Sequence, residues 1–168
     1  MTSSLDSQAL RATMRQWVTG VTVVTSVFEN EPSGMTVSSF TSVSVEPPTV
    51  LVCVNKQAYT HDIIARSGIY AISLLSAGQE DLSNRFAGLE AGVVDRFEDL
   101  EVITAETGAP LLPGAIAWLD CRVTMAVDTS THTIYIAEVL YAKANADLEP
   151  LAYHNRHYRL LIDAPSPE

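Results

Sequence analysis

Between Gly34 and Lys56 the chain reads GMTVSSFTSVSVEPPTVLVCVNK. Six small hydroxyls, Thr36, Ser38, Ser39, Thr41, Ser42 and Ser44, crowd among Met35, Val37, Phe40 and Val43 in the run 35–45. Hydroxyls and β-branched residues suit a pleated surface. A solvent face needs fewer of them. Each hydroxyl both donates and accepts, so the run predicts a polar lining for a ligand rich in oxygen and nitrogen. Glu46-Pro47-Pro48 separates it from a second apolar run, 49–54.

Three further residues could act on such a ligand. Thr60 opens an expected helix, where free N–H groups and the helix dipole favour an anion. Arg85 falls at the end of a second short helix and could clamp a phosphate through two parallel N–H bonds. His132 starts a strand after a turn, where an imidazole titrating near neutral pH could hydrogen-bond or stabilise charge. On residue types alone, ordinary readings weigh more: a helix cap, a last-turn cation and a polar turn residue.

Other chemistries are not supported. No G-x-G-x-x-G and no Walker A loop occurs, so a nucleotide phosphate must be held by another device. His154 and His157 would fall on opposite faces of a single strand, and no metal-ligand spacing is present, so no metal site is expected. Glu98, Asp99 and Glu101 read as a solvated cluster rather than the acid pair of a glycosidase. No G-x-S-x-G elbow exists. Cys53 and Cys121 sit in apolar runs and read as buried reduced thiols.

The elements that must position these residues follow from pattern. Asp6 or Ser7 can cap a helix over 8–17 whose apolar face is Leu10, Met14 and Trp17. A strand over 21–28 and a polar turn over 29–33 precede the two runs above. Thr60 can cap a helix through Ile64 that stops near Gly68, and 69–75 is a strand. Ser76 and Gln79 have capping-box spacing before a helix ending at Arg85 or Phe86. Residues 88–113 are loop-rich. Alternation over 119–127, a turn at 128–131 and a return run over 133–142 predict a hairpin, and 151–161 a last strand. Without βαβ alternation, these elements predict a mainly β, antiparallel barrel with short helices.

Several motifs taken together resemble the flavin reductase-like family, the small NAD(P)H:flavin oxidoreductases that supply reduced flavin to two-component monooxygenases. They are the hydroxyl run, the strand end Cys53–Lys56, the triplet Arg85-Phe86-Ala87, Asp95-Arg96-Phe97, and His132 after its turn. The strip Pro150-Leu151-Ala152-Tyr153-His154-Asn155-Arg156-His157-Tyr158 completes the set. Order and spacing hold from Leu10 to Tyr158. The resemblance implies a split β-barrel of Greek-key type, one domain over 1–168 with a core of 10–161, assembled as a homodimer. It implies that Thr36, Val37, Ser38, Ser39, Phe40 and Thr41, with Cys53, Val54, Asn55 and Lys56, hold FMN or FAD. Tyr59, Thr60, Arg85, Phe86 and Ala87 would meet the flavin phosphate and ring. Tyr153, His154, Asn155, Arg156 and Tyr158 would meet NADH or NADPH, and His132 would be catalytic beside the nicotinamide. The family's usual strip is Pro-Leu-Leu-Tyr-Phe-Arg-Gly-x-Tyr. Here His154, Asn155 and Arg156 replace its Phe, Arg and Gly, and Ser130-Thr131-His132 replaces Gly-Asp-His.

Composition sets the remaining bounds. A chain of 168 residues can bury about 70% of its unfolded surface, and 47% of its residues are hydrophobic. A net charge of −10 argues against nucleic acid and against an anionic membrane as partner, while one local Arg suffices for a phosphate. No signal-peptide pattern or membrane-length run occurs, and the chain is read as cytoplasmic. The expected function is NAD(P)H-dependent flavin reduction serving an oxygenase partner. Two others stay open: a split-barrel flavoprotein with tightly bound FMN acting as oxidase or monooxygenase without NAD(P)H, and a flavin-free scaffold.

Overall fold

The computed structural model describes residues 6–164. The strands of its sheets pair antiparallel throughout. β2 (Thr22–Phe28) returns as β3 (Glu31–Val37) through Glu29 and Asn30 alone, at φ of 50° and 65°. Such two-residue turns match the natural twist of a hairpin. The expected polar turn over 29–33 is therefore shorter, and Pro32 lies inside β3. Glu31 pairs with Phe28 beside the turn, so the two-residue repeat aims the backbone groups of Pro32, Gly34 and Thr36 away from β2. A proline's missing N–H costs nothing on that edge.

The strand expected over 35–45 breaks at residues 38–40, and β4 (Thr41–Ser44) follows as a separate piece. β5 (Thr49–Asn55) alternates buried and half-buried residues, with Val50, Val52 and Val54 inward. β6 (Ile69–Leu74) leads by a long loop to the hairpin of β7 (Ala117–Asp128) and β8 (His132–Ala144). These seven strands form one sheet in the order β3-β2-β6-β7-β8-β5-β4, which leaves β3 and β4 as its edges. A second sheet joins β1 (Thr19–Gly20) to the hairpin of β9 (Ala152–His154) and β10 (His157–Arg159). The single strand expected over 151–161 is thus two strands around Asn155 and Arg156, both at positive φ. His154 and His157 are consequently cross-strand partners on one face, not on opposite faces.

Three helices decorate the sheets. Asp6 caps α1 (Ser7–Met14), its carboxylate accepting the Gln8 N–H at 3.0 Å. No residue of α1 is buried, and the expected apolar face of Leu10, Met14 and Trp17 stays exposed. α2 (Tyr59–Ser67) starts from Ala58 without a side-chain cap and ends on Gly68, whose φ of 70° is a conformation glycine adopts freely. Thr60 is therefore not the cap; it is buried, and its hydroxyl bonds Ser33 Oγ at 2.8 Å. Before α3 (Glu80–Phe86) only half of the capping box forms: Ser76 donates its N–H to Gln79 Oε1, while its hydroxyl goes to the Gly114 carbonyl.

Two apolar clusters matter for the site. Val24, Val52, Val54, Ile64, Tyr70, Ile72 and Tyr135 fill the barrel. Val23, Leu75, Phe86, Leu112 and Leu151, with Phe97 and Tyr158, form a second cluster. β2 serves both, which is why it is buried on both faces.

Candidate functional site

The open edge of β3 floors a groove with two lobes. The first is a cavity of about 540 Å³ between Gly34–Thr36, the start of α2 at Gln57–Thr60, the end of α3 at Phe86 and Ala87, and residues 94–97. The second, of about 330 Å³, lies between Thr36–Ser38, Ser83, Asn84, Ala87 and the side chains Tyr153, Arg156 and Tyr158. Thr36 and Ala87 border both. A third cavity beyond it is lined by Trp17, Ser38, Phe40 and Thr41 among others.

Polar groups suited to an anion meet in the first lobe. The uncapped start of α2 leaves first-turn N–H groups without a side-chain acceptor. Opposite it stands Arg96, whose Nη1 donates to the Gly34 and Phe86 carbonyls, both at 2.9 Å. A β-carbon on Gly88, at φ 72°, would fall 3.0 Å from Arg96 Nη2, so the glycine gives both the turn and the room for the guanidinium. Tyr59 stands at the mouth and donates to Glu31 Oε2 at 3.0 Å; that hydrogen bond holds the phenol above its ordinary pKa. The β3 edge adds backbone donors and acceptors, which is what the rim of a heteroaromatic ring requires.

In the second lobe Tyr153 and Tyr158 pack edge to face, with ring centroids 5.4 Å apart. Tyr158 donates its hydroxyl to Asn84 Oδ1 at 2.7 Å, which ties the β9–β10 hairpin to α3. Arg156 forms no ion pair among the described residues.

The structure distributes the expected site residues unevenly. Thr36, Tyr59, Thr60, Phe86 and Ala87 line the first lobe, and Thr36, Val37, Ser38, Ala87, Tyr153, Arg156 and Tyr158 the second. Phe40 and Thr41 face the third cavity. Ser39, Cys53, Val54, Asn55, Lys56, Arg85, His132, His154 and Asn155 line none of these three cavities. Arg85 points elsewhere: its Nε meets Glu90 Oε2 at 3.3 Å and its Nη1 the Glu98 carbonyl at 3.0 Å. Val54 is fully buried in the barrel, so its side chain cannot touch a ligand. Lys56 pairs with Asp128 instead of facing the groove. Cys53, Asn55 and His132 lie on the outer face of β5 and β8, with Asn55 directly opposite His132.

The hydroxyl run is also less free than its composition suggests. Thr36 donates to the Ser83 carbonyl at 2.7 Å and Ser39 to the Cys53 carbonyl at 2.8 Å, while Ser44 bonds the Pro47 carbonyl. These hydroxyls tie strands and helices together, and Ser38 is left exposed where two cavities meet. Arg96 was legible only as part of Asp95-Arg96-Phe97. Its place in the groove depends on a loop fold that spacing does not reveal.

Comparison with known proteins agrees with this architecture. The model of the flavin reductase like domain matches residues 14–161. An NADH-dependent FAD reductase of Streptomyces globisporus is 40% identical over 156 residues, which cover 92% of this chain and 85% of that protein. The FMN reductase (NADH) SmoA of Agrobacterium fabrum is 39% identical over 148 residues, 88% of this chain and 82% of the relative. Among solved structures, the Streptomyces globisporus C-1027 NADH:FAD oxidoreductase SgcE6 superposes with a TM-score of 0.87 at 37% identity, covering 97% of this chain and 98% of its own. BorF, the flavin reductase component of a bacterial two-component tryptophan halogenase, has a TM-score of 0.85 at 36% identity, covering 95% and 100%. These neighbours are of the split-barrel type that the sequence implied. With its motifs, its antiparallel barrel and its two-lobed groove, the chain belongs to the flavin reductase-like domain family.

Proposed function

We propose that the chain is an NADH-dependent flavin reductase that releases reduced FAD or FMN to an oxygenase component. One observation carries this reading: two cavities meet at Thr36 and Ala87, one suited to a phosphorylated heteroaromatic ring and one lined by an aromatic pair and the Arg156 cation. The relatives add the donor and the acceptor, being named for NADH and for FAD or FMN. BorF, described as a component of a two-component system, supports an oxygenase-type partner.

The residues present fit the two ligands. Arg96 and the start of α2 would hold the flavin phosphate, with Thr60 and Tyr59 beside it. The open edge of β3 from Gly34 to Ser38 would bond the polar rim of the ring. Tyr153 and Tyr158 would pack against the nicotinamide nucleotide while Arg156 meets its pyrophosphate. When both are bound, the nicotinamide supplies a hydride and the flavin accepts it at N5, chemistry that belongs to these molecules themselves. The chain's task is orientation, holding reacting atoms about 3–3.5 Å apart. His132 lines neither lobe, so it would reach this pair from the border with a second copy rather than from within the groove of one chain.

The outer face that carries His132 favours a homodimer. Leu51, Ile136 and Met125 form one apolar row across β5, β8 and β7, and Cys53, Ile134 and Val127 form the next. Met125 is 57% and Val127 41% exposed in the single chain. A second copy covering these rows would bury them and set the His132–Asn55 end of the patch at the subunit border. Sedimentation tests this: Met125→Glu should shift a dimer toward monomer. The cytoplasm, where NADH is at hand, is the proposed location.

The function is tested by steady-state oxidation of NADH, and separately NADPH, with added FAD or FMN. Turnover with NADH supports the reading. A protein that binds flavin tightly and oxidises neither nucleotide would be the flavoprotein oxidase or monooxygenase instead.

A further inference from the structure

The turn between β7 and β8 is fastened far more closely than an exposed turn requires. Thr129 donates its N–H at 2.9 Å and its hydroxyl at 2.7 Å to the His132 carbonyl, and the same hydroxyl accepts the His132 N–H at 3.2 Å. Lys56, at the end of β5, holds this turn from the neighbouring strand. Its backbone N–H donates to the Thr131 carbonyl at 3.0 Å and its ammonium to the Thr129 carbonyl at 2.8 Å. The same ammonium pairs with Asp128 Oδ1 at 3.3 Å. Asp128 also accepts the Thr133 hydroxyl at 2.9 Å, and these hydrogen bonds, Thr133 first and then Lys56, hold its carboxyl below the usual range. Because Thr133 donates to Asp128, it accepts from His61 Nε2, 2.9 Å away.

The network converges on one imidazole. Thr131 Oγ1 meets His132 Nδ1 at 2.8 Å, and His132 Nε2 has no partner among the described residues. The side chain of Asp128 is 78% exposed, so an ion pair there adds little to global stability. Its effect is local.

We infer that Lys56 and Asp128 are positioning residues for His132: they fix the turn, the turn fixes Thr131, and Thr131 fixes the ring so that Nε2 is presented outward. Lys56 therefore does not serve as a flavin ligand. This inference rests on the reading that His132 acts on the bound nicotinamide and flavin.

The test uses the full chain with NADH and saturating FAD. Lys56→Met and Asp128→Asn should each lower kcat about tenfold, with KM for NADH within about twofold, as expected for lost orientation. Thermal midpoints should stay within about 2 °C. Lys56→Arg should restore most of kcat. Lys56→Met added to His132→Ala should cost nothing beyond His132→Ala alone.

The ring signals of His132, read by NMR at one pH, give a readout independent of turnover. The charged and titratable groups around the turn are Lys56 on β5, Asp128 on β7 and His61 on α2. Either Lys56→Met or Asp128→Asn should broaden or shift the His132 ring signals, as expected of a ring no longer held in one orientation. If Lys56→Met keeps wild-type kcat and unchanged His132 ring signals while His132→Ala is impaired, the clamp is wrong and the role of His132 stands. If His132→Ala keeps wild-type kcat, both fall.

Discussion

Arg96 donates one guanidinium nitrogen to the Gly34 carbonyl at 2.9 Å and so binds the loop at 95–97 to the open edge of β3. That bond closes the wall of the first lobe, and the same nitrogen reaches the Phe86 carbonyl at the end of α3. Gly34 is itself constrained: a β-carbon there would come 2.7 Å from Phe86 Cε1.

Arg96 and Arg85 should therefore separate cleanly. Arg96→Met removes a donor from two carbonyls and a cation from the groove. It should raise the flavin Kd about tenfold and cost about 2 kcal/mol of stability. Arg85→Ala removes a partly exposed pair with Glu90 and should change flavin Kd less than about twofold. Flavin fluorescence titration and denaturant melts of both variants check this.

Arg156 sits at φ 66° on the tip of the β9–β10 hairpin, a conformation that costs a branched-out side chain energy glycine does not incur. Arg156→Gly should raise stability by about 0.5 kcal/mol, the relief of strain offsetting the extra freedom of the unfolded chain. The same change should raise KM for NADH several-fold while leaving flavin affinity alone. A KM that does not move would remove Arg156 from the nucleotide site.

The two thiols should behave differently. Burial, and then the neighbouring Asp120 charge, push Cys121 up to about 12, whereas Cys53 is half-buried on the outer face. In the proposed dimer both thiols should resist a maleimide near neutral pH; in Met125→Glu, once monomeric, Cys53 should label first and Cys121 only on unfolding. The sign of the pH dependence follows from linkage. Native Cys121 stays protonated while the unfolded thiol ionises near its ordinary pKa of about 8.5. Its contribution is thus fully present below that value and declines as pH rises toward about 12. Denaturant titrations at rising pH should show the loss, and Cys121→Ala should flatten it.

Strand content and fold class were legible because β5 and the first half of β8 carry alternation that burial enforces; in β7 register shifts break it, so Trp118 and Asp120 are buried while Met125 and Val127 are exposed. Hairpin geometry was less so. Asn155 and Arg156 lack the glycine that marks such a turn, and two short strands read as one. For the site, Thr36, Tyr59, Phe86, Tyr153 and Tyr158 were found because order along the chain sufficed to carry their motifs. Arg85 misled because a last-turn arginine can face either side of a helix, and Glu90 together with the Glu98 carbonyl decides which. The partners of Thr36 and Lys56, Ser83 and Asp128, lie 47 and 72 residues away along the chain, beyond the reach of any local pattern.

The proposed reaction is hydride transfer from NADH to a flavin held by this chain. Anaerobic rapid mixing of the protein and FAD, or FMN, with NADH tests it most directly. Flavin should bleach in step with NADH loss, one molecule per molecule, and bleaching should slow in Arg156→Gly at limiting NADH. Flavin that binds the groove yet stays oxidised with excess NADH would contradict it.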